Sequence, residues 1–191
     1  MIWVREVNSS ILNYVKTLME SIVDHNGNTI DVKTFISKPN GELQIETYPS
    51  ATISLDSVKE ANAFNDFNSY DISKVDEDTV LKKLKASKYS FNYTINFWAR
   101  SPIDLDAMTK KWMMNTPKHK VIDIKDVDTN TIYECTMTQD GGLSVEGMTN
   151  ATTGQATYRH IFVCHIIVGI DNNQSEEYTV VKSINSTKED V

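Results

Sequence analysis

Histidine is the residue type in this chain with the widest capacity for acid–base chemistry or metal binding. His160 and His165 lie five residues apart in one apolar, strand-like run, so their side chains point to opposite faces and cannot hold one metal ion. His25 lies at a predicted helix end and His119 in a turn-like segment, and neither has a carboxylate at ligand spacing. The pattern therefore favours surface or hydrogen-bonded core histidines over a metal site.

Motifs for nucleophilic catalysis or phosphate binding are also missing from the sequence. Gly141-Gly142 is a turn pair without the lysine and the following serine or threonine of a P-loop, and no Gly-x-Ser-x-Gly elbow occurs. Cys135 and Cys164 lie in apolar runs without a basic neighbour that would activate a thiolate, which predicts buried free thiols. We expect no catalytic residue, no metal and no cofactor.

Two arginines lie at positions that allow two interpretations, one of which is a contact between subunits. Arg100 lies at a strand-to-helix junction, and Arg159 lies near the start of the most apolar run. Each either covers apolar surface of its own subunit or forms an ion pair with a neighbouring subunit. Together with Ile161, Val163 and Ile167, they are the candidate subunit interface.

Charge is distributed unevenly along the chain, which has a net charge of −7. Seven acidic residues fall between Asp56 and Asp78, against Lys59 and Lys74. This stretch is either a solvated loop or an acidic surface that repels DNA and lets it slide past. The candidate acidic channel or partner loop comprises Asp66, Asp71, Asp76, Glu77 and Asp78. The negative balance argues against a general nucleic-acid binder and against an anionic membrane as partner.

The first part of the chain is predicted to form a helix and two strands. Apolar residues at spacings of three and four predict a helix over residues 8–25, capped by Asn8, Ser9 or Ser10 and ended by Asn26-Gly27. Residues 31–36 and 43–55 have strand character, and Pro49 places the second strand at an edge or a bulge. Residues 56–88 lack a sustained period and are predicted to be a long loop insertion.

The second part begins with a strand followed directly by a helix. Phe91, Tyr93, Ile95 and Phe97 alternate with polar residues and share one strand face. Ser101-Pro102 is a strong helix start, and Asn115-Thr116-Pro117 stops the helix, whose buried side is formed by Leu105, Met108 and Trp112.

Three further strands and a polar tail complete the pattern. The predicted strands are residues 119–124, 131–138 and 158–170, and the last has apolar residues on both faces, as in a central strand or one covered by another subunit. Residues 171–191 form one further strand or a polar C-terminal tail. The order of elements predicts an α+β fold: a mainly antiparallel sheet with two helices packed on one face, in a single domain over residues 1–170.

Nothing at the N-terminus has the apolar run of a signal peptide, and no stretch approaches the length of a membrane span. With unpaired cysteines, this predicts a protein made in a reducing cytoplasm.

The element order resembles that of the tail terminator proteins of tailed bacteriophages, the neck or tail-completion group. The likeness covers residues 1–170 and rests on an N-terminal amphipathic helix, the segments TYPSATISLDS, SFNYTINFWARS and DLDAMTKKWM, and the closing strand from Tyr158 to Val163. It is a likeness of pattern and order, without a signature motif. The insertion at 56–88 and the tail from 171 exceed what a minimal member needs.

The resemblance implies a structural role in the virion, with assembly in the host cytoplasm. Such proteins form a hexameric ring on the last ring of the tail tube protein, stop its polymerisation and dock the neck or head connector protein. In contractile tails they also touch the tail sheath protein, and DNA passes through the ring without sequence-specific binding. They need no catalytic residues or cofactor. The alternatives are another phage structural protein (baseplate, tail-tube, or head-completion or connector protein) and a small hydrolase using His119 or His160.

Overall fold

The computed structural model describes ten stretches of the chain: residues 4–20, 22–23, 27–37, 47–61, 70–74, 79–84, 87–128, 130–149, 156–170 and 175–179. The chain divides into two compact units. The first comprises Met1–Glu60 and Tyr89–Val168, and the second comprises Ala61–Lys88 and Gly169–Val191.

The described residues form two helices and ten strands. The helices are α1 (Val4–Met19) and α2 (Pro102–Asn115). The strands are β1 (Lys33–Ser37), β2 (Ser50–Glu60), β3 (Tyr70–Lys74), β4 (Thr79–Leu84), β5 (Ser87–Ala99), β6 (His119–Lys125), β7 (Ile132–Gln139), β8 (Ser144–Thr149), β9 (Ala156–Ile170) and β10 (Ser175–Thr179).

The first unit contains a seven-stranded sheet in the order β1-β2-β5-β9-β7-β6. Strand β8 pairs with the first part of β9, from Ala156 to Ile161, while β7 pairs with the later part, from Cys164 to Ile167. The pairs β2–β5, β6–β7, β7–β9 and β8–β9 are antiparallel, and β1–β2 is parallel. The predicted α+β class with a mainly antiparallel sheet is confirmed.

Both helices pack on one face of this sheet. The predicted strand face of Phe91, Tyr93, Ile95 and Phe97 is buried, as are alternate residues of β9 from His160 to Val168. On α2 the predicted residues Leu105, Met108 and Trp112 are buried against them. The Trp112 ring lies edge-on to Phe97, with centroids 5.8 Å apart, and 5.7 Å from Phe162. Burial of this aromatic group adds to the apolar contacts that α2 makes with the core.

Helix α1 begins and ends earlier than predicted. Its described part starts at Val4, so Asn8 lies inside the helix, where its Oδ1 accepts a hydrogen bond of 2.7 Å from the Tyr93 hydroxyl instead of capping the first turn. The helix ends at Met19. Beyond it, the Ile30 N–H donates to the Ile22 carbonyl, Val23 and Thr29 form an isolated antiparallel bridge, and Gly27 takes a positive φ of 84°.

Strand β2 begins after Pro49 instead of enclosing it. Pro49 needs no N–H there, and its carbonyl accepts a hydrogen bond from the Lys33 N–H. The bulge lies between Leu55 and Ser57, and β2 runs between β1 and β5 and not along an edge. Residues 43–46 of the predicted strand lie outside the described residues.

The prediction of one long loop over residues 56–88 is wrong for most of its described part. Strand β2 continues to Glu60, and β3 and β4 form an antiparallel hairpin. In the second unit, β10 pairs with β4, so the C-terminal segment contains the further strand that was one of its two predicted forms. Low periodicity in this stretch reflects short strands rich in charged residues, which carry little alternating signal.

Candidate functional site

The sheet face turned away from α1 and α2, here called the outer face, carries the site. It is formed by the alternate residues Thr52 of β2, Asn96 and Trp98 of β5, and Arg159, Ile161, Val163, His165 and Ile167 of β9. Directly paired residues in adjacent strands project to the same face. The register pairs Thr52 with Asn96 and Arg159 with Glu146 of β8, so Glu146 also lies on this face.

Arg159 is the centre of a hydrogen-bonded cluster on the outer face. Its Nε and Nη2 donate to Asn96 Oδ1 at 3.0 and 2.7 Å, and its Nη1 donates to Glu146 Oε2 at 3.1 Å. The guanidinium carbon lies 4.7 Å from the centroid of the Trp98 ring. Arg159 is therefore held within its own subunit by polar contacts and by the Trp98 ring, and an ion pair with a neighbouring subunit stays a prediction.

A second layer of hydrogen bonds supports the cluster. Asn96 Nδ2 and Trp98 Nε1 both donate to Thr52 Oγ1, each at 3.2 Å. Thr52 and Asn96 are buried, so these polar groups are out of water and depend on one another. We name Thr52, Asn96, Trp98, Glu146 and Arg159 the arginine cluster. It fixes the positions of side chains from four strands.

Beyond the arginine cluster, the outer face carries exposed and half-buried apolar side chains on β9 and β6. Val163 is 41% exposed, and Ile161 and Ile167 on the same strand face are half-buried. Ile167 pairs with Thr136 of β7, which pairs with Val121 of β6, itself 55% exposed. The three strands thus carry a row of Val121, Thr136 and Ile167, here called the apolar strip after its two aliphatic ends, with Val163 and Ile161 beside it. Exposed apolar surface of this kind is suited to contact with another protein.

Arg100 lies at the end of β5, two residues beyond Trp98. It is exposed, and its guanidinium carbon lies 5.0 Å from the centroid of the Tyr48 ring. Together with Lys33 and Asp104 it lines an open cleft of about 670 Å³ at the start of α2. The sequence-predicted interface residues therefore fall in two places: four on the outer face of β9 and Arg100 in this cleft.

The histidines lie apart from one another, as the sequence predicted. His160 is buried on the helix side, and its Nδ1 lies 2.6 Å from Thr109 Oγ1. His165 is on the outer face, with Nδ1 2.6 Å from Asp140 Oδ2. His119 Nδ1 contacts Thr138 Oγ1 at 3.2 Å. Burial lowers the pKa of His160, and the nearby Asp106 charge raises it by a smaller amount. His25 lies outside the described residues.

The cysteines are buried free thiols, as predicted. Burial raises the pKa of Cys164 to about 12 and that of Cys135 to about 11, and the charges of Asp140 and Asp123 act in the same direction. Both groups therefore stay protonated and unreactive at neutral pH. Within the described stretches, no group of three His, Cys, Asp or Glu side chains could hold a metal ion.

The candidate acidic residues fall almost entirely outside the described part of the chain. Asp66, Asp76, Glu77 and Asp78 lie outside it. The backbone of Asp71 belongs to β3, where it pairs with Lys83 of β4. The acidic channel or partner role of this stretch stays a prediction.

Sequence reasoning missed Asn96, Trp98 and Glu146 as functional neighbours of Arg159. The alternation of β5 places Asn96 on the outward strand face, but its partner comes from 63 residues further along the chain, and Glu146 lies in β8, which was not predicted. The signal that could have found them is the run of polar residues facing outward on β5, at positions 92, 94 and 96.

Comparison with known proteins adds no relationship to these observations. No protein-family model matches the sequence, and a comparison with curated proteins finds no match. Neither of the helices that the structure describes has the length and apolar character needed to cross a membrane.

Proposed function

We propose that this chain is a structural virion protein of a tailed bacteriophage, which forms a ring that caps the tail tube and joins it to the head connector. The type of assembly, a ring on the tail tube, is what the resemblance in element order to tail terminator proteins implies. Its proposed partners are further copies of itself, the tail tube protein, the neck or head connector protein and, in a contractile tail, the sheath protein.

The observation that carries the proposal is the outer face of the seven-stranded sheet. One side of the sheet is filled by α1 and α2, while the other presents Val163, Ile161 and the apolar strip beside a rigid arginine cluster. An exposed apolar area with fixed polar neighbours suits a protein surface better than a small molecule, which needs a concave pocket. Repeated contacts between different patches of identical chains close into a ring.

The arginine cluster has a specific role in this proposal. Its hydrogen bonds hold Trp98 and Arg159 in one arrangement before assembly, so little side-chain entropy is lost when a neighbour packs on them. Arginine and tryptophan are also the residue types most enriched among energetically important contacts of protein interfaces. The cluster and the apolar strip together therefore form the proposed contact surface of the ring.

The test combines light scattering with negative-stain microscopy of the purified chain. Six copies of the 21.6 kDa protomer give a particle of about 130 kDa with ring-shaped images. Val163→Asp places a charge on the outer face and should abolish the ring while leaving the fold intact, since a 41% exposed side chain can reach water. Val58→Asp is the matched control, because Val58 is also 41% exposed but pairs with Phe91 on the helix side.

The second measurement tests position in the virion. Tail tubes of the phage that encodes the chain are incubated with the protein and imaged, with tube length and end-bound rings counted. Wild type and Val58→Asp should cap tube ends and stop elongation, and Val163→Asp should not. Tubes that elongate equally with and without the wild-type protein would contradict the proposed function.

A further inference from the structure

A groove between the two helices and β6 has a charge opposite to that of the chain as a whole. It has a volume of about 300 Å³ and is lined by Tyr14, Thr17, Leu18, Lys111, Asn115 and Lys120. We call it the lysine groove. It lies on the helix side of the sheet, on elements different from those that carry the outer face.

Hydrogen bonds fix the walls of the lysine groove. The Tyr14 hydroxyl donates to the Asn115 carbonyl at 3.1 Å and lies 2.8 Å from Thr116 Oγ1, which ties α1 to the end of α2. Asn115 Nδ2 donates back to the Lys111 carbonyl at 2.8 Å. The Lys120 ammonium lies 5.9 Å from the centroid of the Tyr14 ring. The groove is therefore a preformed surface with an aromatic floor.

The two lysines of the groove have no negative partner in the described part of the chain. Lys111 and Lys120 are half-buried, and neither lies within ion-pair distance of a described carboxylate. A partly buried ammonium gains more from a counter-charge than an exposed one, because water screens it less.

The sequence that contributes Lys111 and Lys120 to the groove is rich in lysine and has no acidic residue nearby in the chain. Between Asp106 and Asp123 the chain contains Lys110, Lys111, Lys118 and Lys120 and no acidic residue, although its net charge is −7. Leu18 adds an apolar contact to the lining beside the two lysines. Positive charge beside the apolar groups of Tyr14 and Leu18 suits an acidic polypeptide segment.

The chain itself contains such a segment. Residues 66–78 hold five acidic residues against Lys74 alone. A nucleic acid is the less suitable occupant, because the groove lining contains only two lysines, whereas a nucleic-acid site neutralises several phosphates. We propose that the lysine groove of one copy binds the acidic stretch 66–78 of the neighbouring copy. Groove and stretch are different patches of one chain, so the contact is head-to-tail, the type that closes rings. This inference rests on the proposed ring.

Carbodiimide crosslinking tests the contact directly, since the reagent joins a carboxylate only to a lysine that touches it. A mixture of ¹⁵N-labelled and unlabelled full-length protein is crosslinked in the assembled state and analysed by mass spectrometry. Mixed-label peptides should join Lys111 or Lys120 to a carboxylate within 66–78. A crosslinked ring in which these lysines join only other carboxylates, or none, would overturn the inference.

A second experiment reverses the charges of the groove lysines and then those of the acidic stretch. Lys111→Glu/Lys120→Glu should raise the dissociation constant of the assembly about tenfold, since two attractive ion pairs become repulsive. Adding Asp76→Lys/Glu77→Lys should restore it. Lys16→Glu/Lys110→Glu changes the net charge equally at exposed positions of α1 and α2 that do not line the groove and should assemble as wild type. Lys111→Gln/Lys120→Gln serves if the reversed variant fails to fold, with a loss of about threefold.

The outcomes separate this inference from the proposed function. If the wild-type protein and both groove variants form rings and cap tail tubes equally well, the lysine groove is not the contact and the proposed function stands. If neither wild type nor the exposed control caps tubes or forms rings, the proposed function fails, and the head-to-tail contact fails with it. If wild type binds duplex DNA through the groove lysines and its rings do not need them, the groove is a nucleic-acid site and the inference is wrong.

Discussion

Replacing Arg159 by methionine separates a role in the fold from a role in subunit contacts. The change removes the charge and every hydrogen bond of the guanidinium and keeps a side chain of similar length over Trp98. Methionine cannot donate hydrogen bonds to Asn96 or Glu146, and it has no cation to stack on the indole ring.

The expected loss in the free energy of unfolding follows from how deeply each partner of Arg159 is buried. Both bonds to Asn96 end on one buried oxygen and together contribute about 1.5–3 kcal/mol, the usual value for a hydrogen bond to a charged group. The ion pair to Glu146 is partly exposed and adds about 0.2–1 kcal/mol. The cation–π contact adds about 0.5–1 kcal/mol. Because methionine retains part of the packing, Arg159→Met should lower the free energy of unfolding by about 2–4 kcal/mol.

Urea denaturation followed by circular dichroism measures this change, at protein concentrations below assembly. Arg100→Met is the matched control, since Arg100 is exposed and stacks on the Tyr48 ring, and it should cost about 0.5–1 kcal/mol. The double variant Arg159→Met/Asn96→Ala should cost less than the sum of its single changes. Equal, small losses for both arginines would refute the reasoning and return Arg159 to a purely intersubunit role.

Three further measurements test the core: a Trp112 substitution, the pH dependence of stability and the reactivity of the thiols. Trp112→Ala should lower the free energy of unfolding by about 3–5 kcal/mol in urea titrations, because the ring is fully buried. Trp112→Phe, which keeps an aromatic ring, should lower it by clearly less. A cost below about 1 kcal/mol for the alanine variant would place Trp112 outside the core. His160, whose pKa is lowered from its ordinary 6.5, takes up a proton more readily in the unfolded chain, so stability should fall as the pH drops from 7 through 6.5 towards the folded-state pKa. In thermal unfolding, the His160→Gln variant should not show this fall in stability between pH 7 and the folded-state pKa. Identical pH profiles of stability for wild type and variant would contradict the role of His160. Cys135 and Cys164 should react with Ellman's reagent at pH 8 at least about 100-fold more slowly in the folded protein than in urea, and rapid labelling of native protein would show that they are accessible.

Local signals account for the parts of the fold that the sequence predicts well. The alternation from Phe91 to Phe97 and the Ser101-Pro102 helix start depend on neighbouring residues only, and both appear in the structure at the expected positions. Trp112 is buried as its spacing from Met108 implies.

Non-local contacts account for the errors. Asn8 has a cap residue's chemistry, but the hydroxyl of Tyr93, 85 residues away, provides it with another partner inside α1. Strand β8 contains Gly147 and mostly exposed residues, so only its pairing with β9 makes it a strand. The arginine cluster depends on the same pairing, because it brings Glu146 beside Arg159. The register between distant strands cannot be read from either strand alone.

The order of strands also determines where foreign backbone could attach. Strands β1 and β6 end the main path of the seven-stranded sheet, and each therefore offers a row of main-chain groups on one side. Strand β6 carries Lys120, Asp123 and Lys125, and charged side chains on an end strand oppose the approach of another chain. Strand β1 has only five residues, which limits the number of hydrogen bonds that an added strand could form. Both ends of the main path are thus poorly suited to accept a strand from another chain, which opposes growth of the sheet from these ends into a continuous fibre.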